Sequence, residues 1–305
     1  MLKPFLILLV LVVVTAETAF SKQGFHTYFE TLPKPVQKWV SRTYLVFDET
    51  KQVPIGSAFL IHNDGQEAHF LTANHVAYHC PGIGTCSLRW GAVWTPDNML
   101  SPSFSSPVNL QITQVLIFDP KTPDWKVAGT SGAADLAYMK ASSNSSMAEA
   151  AVDDLGMGLV QELQNKFPFQ RKHFVLGYPG LESRPSYREQ PESQEVRLRW
   201  SEGEMIQLRK LGEKYNIATD ADSLHGNSGG PVIFEDGHLL GVLVGGPNFL
   251  EYLEYPIMYS YIIPIDTAKR LIGDILLGKS NHIPICETGY GQNQKTCKEA
   301  PFDPK

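Results

Sequence analysis

The stretch DADSLHGNSGGPVI, residues 220–233, sets one serine, Ser228, between Gly226 and the pair Gly229-Gly230. Glycine lets a backbone adopt left-handed angles and lets other atoms approach it closely. A serine held this way can serve as a nucleophile with bare N–H groups beside it. The same composition suits an ordinary turn, because Asn, Ser and Gly are the usual turn residues. Three further features decide between the two: a base, a carboxylate to orient it, and a rigid scaffold.

The scaffold reads as strands. TYLVF (43–47), GSAFLIH (56–62), AHFLTA (68–73), LQITQVLIFD (110–119) and LAYMKA (136–141) are rich in β-branched and aromatic residues and bounded by Gly, Pro, Asn or Asp. Asn63-Asp64-Gly65 between two of them is a hairpin signal. A second series follows: HFVLGY (173–178), EVRLRW (195–200), YNIAT (215–219), PVIFE (231–235), LLGVLVG (239–245) and MYSYIIPI (258–265). AEAAVDDLGMGLVQELQ (148–164) can carry a helix between the series. IDTAKRLIGDILLGK (265–279) has apolar residues at helical spacing, with Asp266 as its cap. The expected fold is all-β: two packed six-stranded antiparallel β-barrels with a C-terminal helix. Barrel one covers about 40–145 and barrel two about 170–265. The charged segment 182–213 reads as an exposed hairpin or loop, and residues 280–305 as a polar extension.

The 305 residues are 43% apolar and 19% charged, which suits a sizeable core. The formal net charge is −6 and no basic block stands out, which excludes nucleic acid as the expected partner. Near the start, Lys3 precedes a ten-residue apolar run, Phe5 to Val14, and Val14-Thr15-Ala16 offers small residues for cleavage. This has the form of a secretory signal peptide over 1–21. The run falls short of the roughly 20 residues a spanning helix needs. The mature chain from 22 is therefore expected to be exported, secreted or periplasmic, free of the membrane and monomeric. Four cysteines, Cys80, Cys86, Cys286 and Cys297, suggest two disulfides in an exported chain. Of three possible pairings the local ones, Cys80–Cys86 and Cys286–Cys297, are expected. With no C-x-x-C pair, neither a cysteine zinc site nor any other metal or cofactor is expected.

A serine hydroxyl is a poor nucleophile until a base accepts its proton, and that base is usually a histidine oriented by a carboxylate. His75, in HFLTANHVAYHC, follows an apolar strand, where catalytic groups on rigid scaffolds tend to sit. Asp135, in SGAADLAYMK, is a lone acid preceding a strand among small residues. A strand-edge turn would use the same aspartate.

Taken together, GSAFLI…LTANHV around His75, ADLAYMK around Asp135 and GNSGGPVI…GVLVGG around Ser228 resemble the trypsin-like (chymotrypsin-fold) serine proteases. Their chain order is also His, Asp, Ser. The resemblance spans about residues 40–275. It is nearest the bacterial branch that includes glutamyl endopeptidases and HtrA-type proteases, where GYPG (177–180) and Asn227 recur. It implies a serine endopeptidase acting on proteins or peptides. Ser228 would attack the scissile carbonyl, His75 would be the base, and Asp135 would orient it. The N–H groups of Gly226 and Ser228 would form the oxyanion hole. The residue six before the nucleophile, Asp222, would lie at the base of the specificity pocket. Val244, Gly245 and Gly246 would form the facing wall, which implies cleavage after Arg or Lys.

The chain also departs from family patterns. Asn227 stands where digestive members carry the aspartate that receives a new N-terminus, and no IVGG-like start follows the signal, so that activation switch is expected to be absent. Val76 replaces the cysteine after the histidine. Leu243 stands where glutamyl endopeptidases carry a specificity histidine. Two rival readings remain. GNSGG satisfies the G-x-S-x-G elbow of α/β-hydrolases, which needs a helix after the serine and a later histidine. A catalytically inactive binding protein could also sit on a protease fold.

Overall fold

The structure, a computed structural model, describes residues 26, 28–51, 53–77, 79–80, 85–90, 93–94, 108–118, 135–143, 147–150, 171–179, 196–211, 214–245, 259–265, 285–287 and 297–298. The signal segment and most of the expected 148–164 helix lie outside these residues. So does the terminal helix after Ile265.

The first strands are β1 (Thr43–Asp48), β2 (Val53–Asn63), β3 (Glu67–Thr72), β4 (Cys86–Trp90), β5 (Val93–Trp94), β6 (Val108–Phe118) and β7 (Ala137–Ser142). Then come β8 (Lys172–Gly177), β9 (Val196–Arg197), β10 (Arg199–Leu211), β11 (Lys214–Thr219), β12 (Pro231–Phe234), β13 (Leu239–Gly245) and β14 (Ser260–Pro264). Last are β15 (Ile285–Glu287) and β16 (Cys297–Lys298). The order β6-β4-β1-β2-β3-β7 closes on itself through β6–β7, giving a six-stranded antiparallel barrel. The second barrel runs β10-β11-β14-β13-β12-β8. The two six-stranded barrels expected from the sequence are both present.

Strand periodicity explains how the two barrels share a core. On β8 and β12, Val175 and Val232 point into barrel two with Met205, Ile217, Leu240 and Ile262. Their neighbours Phe174, Leu176 and Ile233 point the other way, into one apolar cluster with barrel one and the N-terminal residues Phe29, Val36 and Trp39. Alternate residues of one strand line opposite faces, so the runs 174–176 and 232–234 are apolar throughout because both faces are covered. The Trp39 indole N–H, buried between the barrels, donates to the Gly237 carbonyl at 3.0 Å. A buried indole needs such a partner.

Two segments depart from the sequence expectation. The charged stretch 182–213, read as an exposed hairpin or loop, contains the whole of the thirteen-residue strand β10. Its alternation accounts for this: Ser201 and Met205 are buried, while Glu202 forms an ion pair with Lys172 on the neighbouring strand. Charge on one face of a barrel strand costs little when that face meets water. The strand β4, Cys-Ser-Leu-Arg-Trp, went unread because Ser87 and Arg89 break its apolar run. Arg89 stacks on the Phe47 ring and pairs with Glu49 at 2.8 Å, so its stem covers apolar surface while its charge is matched.

Cys80 and Cys86 form a disulfide with their Cα atoms 5.4 Å apart, as expected. Cys286 and Cys297 are register partners in the antiparallel pairing of β15 and β16. The tail is not a detached extension: β15 pairs antiparallel with Leu116–Phe118 of β6. Among the described residues no helix is long and apolar enough to cross a membrane.

His173 on β8 is fully buried. Its Nδ1–H donates to the Arg171 carbonyl at 3.3 Å, and its Nε2 accepts the Thr219 hydroxyl at 2.6 Å. Burial pushes its pKa down to about 4, and burial does the same to His69 on β3. An unfolded histidine titrates near 6.5, so below that pH the unfolded chain binds protons that the folded one refuses. Stability is therefore full above pH 6.5 and is lost as the pH falls toward 4, by up to roughly 3 kcal/mol per histidine. Urea midpoints measured at pH 7.5 and 4.5 should drop accordingly. The drop should shrink in His173→Gln, and an identical drop in that variant would contradict the assignment.

Candidate active site

The site lies where three pieces of barrel one meet one loop of barrel two. After β3 ends at Thr72, the chain turns into a single helical turn, Asn74–Ala77, which carries His75. Asp135 precedes β7, whose Ala137 pairs with Thr72. This register brings the acid beside the histidine across sixty residues of chain. Asp135 grips His75 at two points. Its Oδ2 accepts the ring Nδ1–H at 2.6 Å and its Oδ1 accepts the backbone N–H at 2.8 Å. A carboxylate bound this way fixes both the ring's position and its tautomer, so Nε2 keeps its lone pair. The histidine side chain is 47% exposed and the aspartate 14%, so the imidazole faces solvent while the carboxylate is shielded.

The serine arrives from the loop between β11 and β12. Its position is set by Ser57 on β2. Ser57 Oγ donates to the Gly226 carbonyl at 2.6 Å and accepts the Tyr178 N–H at 3.0 Å. The Ser57 N–H donates to the Ser228 carbonyl at 2.9 Å. Thr72 completes the junction, its hydroxyl donating to the Ser57 carbonyl at 2.7 Å. The loop 226–230 is thus latched to the strand next to the one that leads into His75. The closeness explains Gly229. It has φ +86°, and a Cβ there would meet the Ser57 carbonyl oxygen at 2.0 Å and the Thr72 hydroxyl at 2.2 Å. Gly226 likewise has φ +99°, a conformation costly for other residues.

Within this loop the neighbouring amides are occupied. The N–H of Asn227 donates to Leu224, that of Gly229 to Leu243, and that of Gly230 to Asn227. The N–H groups of Gly226 and Ser228, the expected oxyanion donors, make no hydrogen bond among the described residues. The Ser228 hydroxyl also makes none there and is partly exposed.

The expected pocket residues fall as follows. Asp222 is buried, and its carbonyl accepts the Ser201 hydroxyl at 2.5 Å. Beside it, Ser223 and Ser260 share a hydroxyl hydrogen bond at 2.5 Å. Val244 is buried at the end of β13 and Gly245 is half-buried, while Gly246 lies outside the described residues. Ser57 and Thr72 were not singled out as functional by sequence reasoning. They stand inside the quoted motifs, but their role depends on a contact across 169 residues, which no local pattern carries. Ser228 is followed by strand β12, whereas a hydrolase elbow requires a helix there.

The profile of the trypsin-like peptidase domain matches residues 56–242. Among solved structures, the HtrA-type protease AlgW with a decapeptide aligns at 15% identity and a TM-score of 0.48, covering 82% of this chain and 68% of that one. Deg5 aligns at 19% identity and 0.47, covering 80% and 93%. An inactive form of Rv3671c from M. tuberculosis aligns at 14% identity and 0.47, covering 82% and 93%. No curated protein sequence gives a match.

Replacing Ser57 by alanine should act on the site without touching substrate. It strands a buried N–H and a buried carbonyl, which costs about 1–3 kcal/mol of stability. It also frees the loop to drift, and misplacement of about 1 Å lowers turnover by up to about 100-fold. Steady-state kinetics with urea unfolding should show kcat falling more than KM changes. A variant with unaltered kcat would remove Ser57 from the positioning of the loop.

Proposed function

Because the chain belongs to the trypsin-like peptidase family, whose members are serine endopeptidases, we propose that it cleaves peptide bonds with Ser228, His75 and Asp135. The observation that carries this assignment is the two-point grip of Asp135 on His75. It leaves Nε2 as the only ring nitrogen able to take a proton.

The steps follow from the geometry. With a peptide in place, Ser228 Oγ attacks the scissile carbonyl while His75 Nε2 removes its proton. Hydrogen bonds of this kind often close only in the substrate complex. The carbonyl oxygen becomes an oxyanion, and the unused N–H groups of Gly226 and Ser228 are the donors for it. Asp135 stabilises the imidazolium. His75 then protonates the leaving amine as the C–N bond breaks, giving an acyl-enzyme. Water, deprotonated by the same nitrogen, releases the acid and restores Ser228.

For specificity, the buried Asp222 is the pocket-base carboxylate. A charged group there favours Arg or Lys before the scissile bond. The apolar run behind Lys3 supports export of the enzyme.

Purified Ser228→Ala and His75→Ala should lose about a million-fold in turnover with their fold intact, and Asp135→Asn roughly 10,000-fold. A fluorophosphonate probe should label the parent and spare Ser228→Ala. Casein cleavage by Ser228→Ala at the parent rate would refute the assignment. Specificity is tested separately with chromogenic peptides. An Arg peptide should be cleaved well, and Asp222→Ser should lose most of that activity while sparing an apolar peptide. Equal turnover of Arg and Leu peptides by the parent enzyme would sink the pocket assignment and leave the triad standing.

A further inference from the structure

The hairpin at the far end of β2 and β3 carries a group of side chains that the peptidase chemistry does not use. His62, Asp64 and His69 each present one ligand atom, and the three atoms lie within 4.8 Å of one another. The pairing of the two strands explains how they meet. Leu60 pairs with Phe70, but the register then slips, so that His62, not Ile61, stands opposite His69. A bulge of this kind re-aims a side chain. Directly opposed residues project from the same face, with Cβ atoms about 5 Å apart. The two imidazole rings accordingly lie with centroids 5.3 Å apart.

The remaining polar contacts leave the inner atoms available. His69 Nδ1 is engaged by the Tyr138 hydroxyl, so Nε2 is the nitrogen left to it. Asp64 Oδ1 accepts the N–H groups of Gln66 and Glu67 at 2.8 and 2.7 Å. Its second oxygen makes no hydrogen bond among the described residues. His62 Nδ1 is buried and has no hydrogen-bond partner among the described residues, a costly state for a polar atom. Lys140, a cation near His69, is drawn off by Glu67 at 2.8 Å. Two imidazoles and a carboxylate are a ligand set for a divalent transition metal ion.

We propose that His62, Asp64 and His69 form a zinc site that braces the β2–β3 hairpin, with water completing the coordination sphere. Tyr138 is the outer partner: a neutral His69 bound through Nε2 holds its proton on Nδ1 and donates it to the phenol oxygen, which sets the ring. Tetrahedral zinc with bonds near 2.0–2.1 Å needs its ligand atoms closer than they stand, and small rotations of the exposed Asp64 and the half-buried His62 side chains bring them toward the buried His69. The site is separate from His75. His69 lies three residues before Thr72, about 10 Å along the strand.

Isothermal titration of the full chain, stripped with chelator and carrying Ser228→Ala against self-cleavage, tests this with zinc ion alone. One equivalent should bind, and His62→Gln and Asp64→Asn should each weaken it at least tenfold. Adding His75→Ala should leave binding unchanged. In the active background, His62→Gln should keep its peptidase activity, which shows that it folds. Asp64→Asn, on the exposed turn, carries the test if His62→Gln does not fold. Absence of zinc binding overturns the site. So does affinity unchanged in both hairpin variants, or affinity lost with His75→Ala, which would place the ion on the triad instead.

Discussion

The hydroxyl of Ser57 is the interaction on which the rest of the site depends. It is a single oxygen on barrel one, buried between the two barrels, that donates to the Gly226 carbonyl and accepts the Tyr178 N–H, both from barrel two. A barrel is stiff because every strand is paired on both sides, but two barrels packed face to face can slide where only apolar side chains meet. Hydrogen bonds lack that tolerance, since a small displacement strands a donor and an acceptor away from water. The Ser57 bonds therefore turn an apolar contact into a defined register between the strand beside the one that leads to His75 and the loop carrying Ser228.

The same junction explains the sequence around Ser228. The amides of Asn227, Gly229 and Gly230 are used within the structure, and those of Gly226 and Ser228 are left over among the described residues. Gly229 is obligatory for space as much as for conformation, because the Ser57 carbonyl and Thr72 hydroxyl occupy the room a side chain would need. Preorganisation of this kind is what lets dipoles stabilise charge without first having to reorient.

Much of this was legible in the sequence, for physical reasons. The strands that pack on both sides announced themselves as unbroken apolar runs, and the 63–65 turn by its residue types. His75 and Asp135 stood out by their places beside strand ends, and the fold sets them within 2.6 Å of each other. What was illegible was tertiary in origin. In β4 the apolar run is broken by an arginine that only makes sense over Phe47. In β10 charge on the wet face concealed a buried stripe through Met205. Ser57 reads as an ordinary strand serine until the loop from barrel two is set against it. The slip that pairs His62 with His69 leaves no trace in composition at all.

The return of β15 to β6 bears on how the chain can assemble. β4 covers β6 only as far as Gln111, and β15 takes over the same edge at Leu116–Phe118. An open strand edge is a template for pairing with other chains. During vectorial synthesis the whole of barrel two emerges between β6 and the strand that seals it. The edge of β6 at Leu116–Phe118 is therefore paired with β15 only after the whole of barrel two has been synthesised, so the second barrel lies enclosed within the chain path of the first.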